Sequence, residues 1–439
     1  MIYMKDGFHV AVPTKKILEW QELELGVLIH YIMDIYKHDC HSKCRIIADE
    51  IPPQSINPSR LDPAQWVRSA KEMGAKYAIL VAKHGTGFAL WPTDVNDYSC
   101  KYMPWKDGKG DIVGEFVDAC RHYGLLPGLY YHPTCNGYYG INNELKYDYK
   151  SEMYQKYVRC VERQVEELWS RYGELFEVWF DGGTIPPEDG GPDLVPLLER
   201  YQPQAVAFQG PRSWPHVTRW VGNEDGLAPE NCWASTNAGE ARYDGSVPDE
   251  KAGVGDPDGI YYWPAETDMP NRDHTSFGGG WGWAKGEQDK CYSPEYLLDC
   301  YVRSVGRNSN MLLGMAISTE GDFEDEEQFR KFGALLEKIF GEPDIILTDP
   351  EPYDGCVTLH CDIDEPMAYL VVREDISEGQ HIREFSVRAD GKELYRSNCV
   401  GHKRIIPLNG LCAGTLDFKV EISAGDFRIR DIAVYEKRQ

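Results

Sequence analysis

Short apolar runs alternate with amphipathic stretches through the first three quarters of the chain. The apolar runs predict eight β-strands, at residues 26–31, 75–84, 125–133, 176–183, 204–210, 219–224, 260–268 and 310–318. The amphipathic stretches predict helices at 62–74, 110–123, 148–172, 192–201, 294–306 and 324–340. Continuous apolar strands such as YAILVA are typical of a parallel sheet covered on both faces. The pattern predicts an α/β fold, a (β/α)8 TIM-like barrel over residues 1–343; a doubly wound open sheet is the alternative.

After about residue 343 the pattern changes to short alternating runs separated by turn sequences such as ADGK and SAGD. Such runs are typical of antiparallel strands that bury one face. We therefore expect a C-terminal antiparallel β-sandwich over residues 344–439, which either supports the barrel or binds carbohydrate.

Composition and charge narrow the possible partners. The 439 residues have a formal net charge of −25, which repels phosphate backbones and anionic lipids, so we expect neither nucleic acid nor membrane partners. The N-terminus lacks the basic and apolar regions of a signal peptide, so the chain as given is expected to be cytoplasmic, or secreted or periplasmic if trimmed. Most of the 13 cysteines are expected to be reduced. The oligomeric state is left open.

Polar residues stand at the ends of most of the predicted strands. They are His30, His84, His132, Asp181, Gln209, Glu224 and Glu266. In a barrel the carboxyl ends of all strands meet at one mouth, where catalytic groups are collected. One such residue is often structural, but seven on one rim indicate a functional site.

Two of these residues fit the chemistry of glycoside hydrolysis, which needs a pair of carboxyl groups. Asp181 closes the apolar strand EVWFD and is followed by two glycines, which let the backbone turn away. Glu224 ends RWVGNE, and Glu266 is the alternative proton donor. A separation of about 5–5.5 Å between the two carboxyl groups would predict retention of configuration, and about 6.5–9.5 Å inversion.

The proton donor needs a raised pKa, which an apolar cleft can supply. Trp220, Trp233 and Trp263 are candidates to line such a cleft, and Trp263 is also expected to contact the substrate. The structural alternative is that the two glutamates form ion pairs with Arg219 or Arg272.

His30, His84 and His132 follow consecutive strands and are expected to bind sugar hydroxyls. The alternatives are structural histidines or a three-histidine metal site. Because carboxylates already account for the chemistry, we predict no metal and no cofactor.

Two further segments have alternative interpretations. HDCHSKC contains the zinc-type ligands His38, Cys40, His41 and Cys44, but structural zinc sites usually use two separated pairs, so a plain loop is favoured. GGGWGW, residues 278–283, is either a mobile lid or a rigid packed turn.

Several motifs resemble glycoside hydrolase family 29, the α-L-fucosidases. LGVLIHY, WVRSAKEMGAKYAILVAKHGTGFALWPT and EVWFDGG are similar to its first, second and nucleophile strands. RWVGNE, PAETD and SVGRNSNMLLG further resemble the subgroup that acts on α-1,3/1,4-linked fucose. The resemblance implies a retaining exo-glycosidase with Asp181 as nucleophile and Glu224 as acid/base, acting on an oligosaccharide or glycoconjugate. It also implies sugar contacts from His30, His84, Tyr131 and Arg219, and from Trp91 and Glu266.

This chain departs from the family pattern in its sugar pocket. It has KHGTGF where members typically have KHHDGF, so Gly85 and Thr86 replace a histidine and an acid, and IHYIMDIY lacks the usual Trp-Gly. An α-L-galactosidase or another fucose-like specificity is therefore an alternative, and a non-catalytic carbohydrate-binding protein is a second one.

Overall fold

A computed structural model describes residues 2–5, 7–37, 48–142, 147–237, 253–361 and 366–436. Eight parallel strands close a barrel: β3 (Leu25–His30), β4 (Tyr77–Lys83), β5 (Leu126–Tyr131), β6 (Glu177–Phe180), β7 (Val206–Phe208), β8 (Val217–Trp220), β11 (Ala265–Met269) and β12 (Ser309–Ala316). The predicted barrel is confirmed. The open-sheet alternative is wrong, because β12 pairs with β3 and leaves no free edge.

Helices lie between the strands in the predicted alternation. They are α1 (Lys15–Gln21), α2 (Pro63–Met73), α3 (Ile112–Tyr123), α4 (Glu152–Arg171), α5 (Val195–Tyr201), α6 (Pro294–Ser304) and α7 (Glu326–Phe340). The Asp62 side chain accepts a hydrogen bond from the amide of Ala64 and so caps α2, and Gly74 ends that helix with a left-handed φ of 97°. Among the described helices, none combines the length and apolarity needed to cross a bilayer.

Two predicted strands begin or end elsewhere, and both differences affect the site. Residues 261–262 form a short strand, β10 (Tyr261–Tyr262), which pairs antiparallel with β9 (Ser235–Thr236) outside the barrel. Pro264 has no amide hydrogen for a strand ladder, and the barrel strand β11 begins after it. Strand β8 ends at Trp220, and Gly222 adopts a φ of 101°, so Glu224 lies in a loop beyond the strand.

The C-terminal part is the predicted antiparallel sandwich, and a separate hairpin, β1 (Ile2–Lys5) and β2 (Phe8–Ala11), precedes the barrel. One sheet has the order β13 (Ile345–Thr348), β20 (Ile429–Glu436), β15 (Met367–Glu374), β18 (Arg404–Leu411). The other has the order β14 (Cys356–His360), β19 (Thr415–Ser423), β16 (Ile382–Ala389), β17 (Lys392–Ser397). Leu370, Phe385 and Phe418 are fully buried in the sandwich core.

Polar contacts fix the sandwich to the barrel. Glu230, in the loop after β8, accepts hydrogen bonds from Arg404 and Tyr395 of the sandwich and pairs with Arg307 at 2.8 Å. The Asn308 side chain accepts a hydrogen bond from the amide of His402 at 2.8 Å. These contacts are those expected of a supporting domain.

Candidate active site

Asp181 follows β6 directly, at the mouth of the barrel. Gly182 and Gly183 adopt positive φ angles of 70° and 76°, which turn the backbone away as the sequence predicts. The Tyr130 hydroxyl donates a hydrogen bond to Oδ2 of Asp181, and His132 Nε2 lies 3.4 Å from the same oxygen. The Asp181 side chain remains 36% exposed, so its carboxylate is open to the mouth.

The surroundings of Asp181 favour its ionised form. Burial alone would raise its pKa, but His132, the hydrogen bond from Tyr130 and the two other nearby histidines hold the pKa below its ordinary value. Burial lowers the pKa of His132 to about 4. Burial and the charge of His84 lower that of His30 to about 3. Near neutral pH the site therefore holds a carboxylate between two uncharged imidazoles.

The structure brings the three predicted histidines together. The His84 ring lies with its centroid 6.3 Å from those of His30 and His132, and it stacks on Tyr130 at 6.0 Å and 20°. His30 Nδ1 lies 3.2 Å from the carbonyl oxygen of Leu28, which orients the ring. Within the described ranges, no three His, Cys, Asp or Glu side chains are grouped as metal ligands. The HDCHSKC segment lies outside the described residues.

Glu224 reaches the same pocket from an exposed loop. Trp281 Nε1 donates a hydrogen bond to Glu224 Oε2 at 3.1 Å, and the Trp281 ring lies 4.7 Å from that of His30. Besides burial, the charges of both Asp181 and Glu224 raise the pKa of Tyr130. Both predicted catalytic carboxylates therefore influence the same phenol, and Trp281 links Glu224 to the His30 side of the pocket.

Trp281 belongs to GGGWGW, which the structure shows as a packed turn. Gly278 and Gly279 adopt left-handed φ angles of 62° and 68°. His274 ties this turn to the loop of Glu224, because its Nε2 lies 3.0 Å from Asp225 Oδ1 and its Nδ1 lies 3.2 Å from the Gly279 carbonyl oxygen. These contacts favour the rigid alternative over the mobile lid.

Two expected sugar contacts, Tyr131 and Trp91, pack against helix α4 instead. The Tyr131 hydroxyl donates to Gln164 Oε1 at 2.7 Å, and Trp91 Nε1 donates to Glu167 Oε2 at 2.9 Å. Neighbouring residues of a strand point to opposite faces, so only one of two consecutive tyrosines can face the mouth. That residue is Tyr130.

Arg219 and Trp263 also lie away from the pocket. Arg219 is buried, and it donates to the carbonyl oxygens of Trp263, Gly253 and Trp233, at 3.0, 3.1 and 2.5 Å. Trp263 precedes β11 and therefore lies at the end of that strand opposite the mouth, where its ring stacks on Tyr261 at 4.7 Å. The contacts of both side chains are structural.

Glu266 lies in the barrel interior rather than at a strand end. It is the second residue of β11, fully buried, and accepts hydrogen bonds from the Tyr77 hydroxyl at 2.7 Å and Trp179 Nε1 at 2.9 Å. Burial raises its pKa to about 7. Because the strand begins five residues later than predicted, Glu266 is below the mouth, which argues against it as the proton donor or a sugar contact. The proposed arginine pairing also differs, since Arg272 pairs with Asp325 at 2.8 Å.

Asp268 is a site residue that the sequence analysis missed. It is buried, its Oδ1 accepts a hydrogen bond from Trp220 Nε1 at 2.6 Å, and burial together with the charge of Glu224 raises its pKa well above the ordinary value. Trp220 therefore donates its indole hydrogen bond to Asp268, whereas the indole of Trp281 donates to Glu224. The two-residue period of a strand puts Asp268 on the same face as Glu266 but nearer the mouth, which is a signal the sequence contained.

Comparison with known proteins identifies the family to which this chain belongs. The family model for α-L-fucosidases matches residues 52–339. Alpha-L-fucosidase 1 of Arabidopsis thaliana is 28% identical over 97% of this chain and 88% of its own length. A candidate α-L-fucosidase of Bacteroides thetaiotaomicron has a solved structure with a TM-score of 0.87 and 31% identity, over 98% of this chain and all of that one. The structure of a glycoside hydrolase 29 family member from an unknown rumen bacterium has a TM-score of 0.81 and 28% identity, over 98% of this chain and 78% of that one. The chain therefore belongs to the α-L-fucosidase family of glycoside hydrolases.

Proposed function

We propose that this protein is a retaining exo-glycosidase that hydrolyses terminal α-L-fucosides, with Asp181 as nucleophile and Glu224 as acid/base. The observation that supports it best is that Asp181 is held ionised by Tyr130 at the barrel mouth, while Glu224 accepts a hydrogen bond from Trp281, whose ring lies 4.7 Å from that of His30 in the same pocket. The family membership supports fucose as the sugar.

In the first step Asp181 attacks the anomeric carbon while Glu224 gives its proton to the departing oxygen. Tyr130 and His132 both approach Oδ2, which leaves Oδ1 as the attacking atom. The bond to the leaving group breaks as the glycosyl ester forms. In the second step Glu224 takes a proton from water, whose oxygen displaces Asp181. The two inversions restore the original configuration.

The difference in exposure between the two carboxylates suits these roles. Asp181 is partly enclosed next to the histidines, whereas Glu224 lies on an exposed loop. A proton donor at the rim meets the leaving group where it passes into solvent, and it meets the incoming water at the same place. This arrangement suits removal of a terminal sugar.

The sugar specificity is also part of the proposal. RWVGNE, PAETD and SVGRNSNMLLG support action on α-1,3/1,4-linked fucose. In KHGTGF, the carbonyl oxygen of Gly85 accepts the amide of Gly137 at 2.7 Å and that of Thr86 accepts the amide of Tyr138 at 3.1 Å. Loss of a hydrogen-bonding histidine supports tolerance of a different substituent, such as the extra hydroxyl of an α-L-galactoside.

Hydrolysis of aryl α-L-fucoside and aryl α-L-galactoside by the wild type, Asp181→Ala and Glu224→Ala tests the proposal. We expect fucoside turnover with retained configuration, read by NMR of the first product, and a loss of at least about 1,000-fold in Asp181→Ala. Equal rates for the wild type and Asp181→Ala would remove Asp181 from the mechanism. Inactivity on both sugars would discard the specificity, and fucose binding without hydrolysis would leave a sugar-binding protein.

A further inference from the structure

Asp34 is a buried acid beside the pocket that the proposed mechanism does not use. It lies in the 3-10 turn Met33–Tyr36, which follows β3 and His30 directly. Its side chain is only about 2% exposed, and within the described part of the chain its Oδ2 has no hydrogen-bond partner. A buried carboxylate oxygen without a donor is costly, so its surroundings should contain a group that compensates.

His84 lies close to that oxygen. Its Nδ1 lies 3.7 Å from Asp34 Oδ2 and is also buried without a partner. An N–H···O bond is about 2.9 Å long, so a shift of about 0.8 Å would bring the two atoms into hydrogen-bonding distance. We call these two side chains the Asp34–His84 dyad.

The rest of His84 faces the sugar site. Its ring lies among His30, His132 and Tyr130, and its side chain is 26% exposed. Among the described residues, the titratable groups near it include these three rings, Asp34 on the Nδ1 side and Asp181, whose pKa it helps to lower. Tyr98 lies on the Asp34 side, since, besides burial, the charge of Asp34 helps to raise the pKa of Tyr98. Because Nδ1 is the buried ring nitrogen near Asp34, Nε2 is the nitrogen left for a ligand.

We propose that Asp34 is a positioning residue, which holds the proton of His84 on Nδ1 and makes Nε2 a hydrogen-bond acceptor for a hydroxyl of the bound sugar. A carboxylate beside one imidazole nitrogen fixes the tautomer in this way. The identification of a sugar as the ligand of Nε2 rests on the proposed function, whereas the assignment of the His84 tautomer is independent of it. Asp34 lies in IHYIMDIY, where this chain departs from the family's Trp-Gly, so the dyad accompanies the altered pocket.

Nitrogen-15 NMR of histidine-labelled protein tests the tautomer without turnover. The His84 signals are those that disappear in His84→Gln. We expect Nδ1 to be protonated in the wild type and in Asp34→Asn, which keeps an acceptor oxygen, and the proton to move to Nε2 in Asp34→Leu. An unchanged tautomer in Asp34→Leu would overturn the proposal, even for a protein that hydrolyses no fucoside.

A double-mutant cycle tests the consequence for the substrate. Asp34→Leu should raise KM for aryl α-L-fucoside about tenfold with kcat changed less than about threefold, and Asp34→Asn should restore most of the loss. In a His84→Gln background the Asp34→Leu change should have no more than about a twofold effect, because its target is gone. An equal loss in both backgrounds would show that Asp34 acts independently of His84. Thermal unfolding of each variant separates these effects from loss of the fold.

Discussion

The hydroxyl of Tyr130 donates a hydrogen bond to Oδ2 of Asp181 and so joins the third and fourth strands of the barrel at the pocket. This bond orients the carboxylate and helps to lower its pKa. The Tyr130 ring in turn stacks on Trp179 at 5.1 Å and 15°, which fixes the phenol from below.

Tyr130→Phe removes this bond and keeps the ring. We expect kcat/KM for aryl α-L-fucoside to fall by about 10- to 100-fold. As the proposed nucleophile, Asp181 must be ionised, so activity is expected to rise as pH increases through the pKa of that group. Without the bond the pKa increases, and the acidic limb of the pH–rate profile moves to higher pH.

Tyr131→Phe is the matched control, since the next residue bonds to Gln164 outside the pocket. It should keep activity within about twofold and lose about 1 kcal/mol of stability. The same loss of activity in both variants would show that Tyr130 has no special role.

Trp281→Phe tests the contact with the acid/base. It removes the indole donor to Glu224 Oε2 and keeps an aromatic ring beside His30. We expect kcat to fall about tenfold because the glutamate loses its orientation. Trp283→Phe, in the same turn, removes a bond to Glu324 of 2.9 Å and should leave kcat unchanged. A larger loss of kcat in Trp283→Phe than in Trp281→Phe would contradict the assignment.

Glu266→Gln tests the interior carboxyl. The pKa of Glu266 is about 7 in the folded protein against an ordinary 4.5, so the folded state holds its proton more tightly. The protonated carboxyl therefore contributes to the free energy of unfolding in full below about pH 4.5. This contribution, on the order of a few kcal/mol, is lost as pH rises through about 7. Urea unfolding between pH 5 and 8 should therefore depend less on pH in the variant. Glu19→Gln on helix α1, a partly exposed position, is the control, and equal slopes in wild type and Glu266→Gln would refute the prediction.

Arg219→Met tests the structural assignment of that residue. It leaves three carbonyl oxygens without their donor. We expect the free energy of unfolding to fall by about 2–4 kcal/mol, with KM for the fucoside within about twofold of wild type. A large rise in KM at unchanged stability would instead restore the sugar contact.

The barrel and Asp181 were predictable because strand-length apolar runs and their polar ends are local signals. The choice between Tyr130 and Tyr131 was not, since two identical side chains give no alternation of polarity. Their direction depends on pairing with β4, where a bulge between Val81 and Lys83 shifts the register. A bulge arises from contacts across the sheet, which the order of residues along one strand does not reveal.

The Glu224 contact was missed for a different reason. Trp281 is 57 residues from Glu224 in the sequence, and its ring also lies 4.7 Å from that of His30, at the other end of the barrel sequence. Nothing in GGGWGW specifies either partner. Glu266 was misplaced because the apolar run IYYW continues across Pro264, although the chain leaves one sheet and enters another there.

The position of Trp281 between His30 and Glu224 has a consequence for synthesis of the protein. A nascent polypeptide that has just emerged through α6 already contains Asp181 and Glu224, the proposed catalytic carboxylates, but it has no β12 to join β3 to β11. We therefore expect the Trp281 indole to reach the His30 imidazole, at the end of β3, only when β12 closes the barrel. Enzymatic activity should accordingly appear only after the complete barrel has been synthesised and has closed.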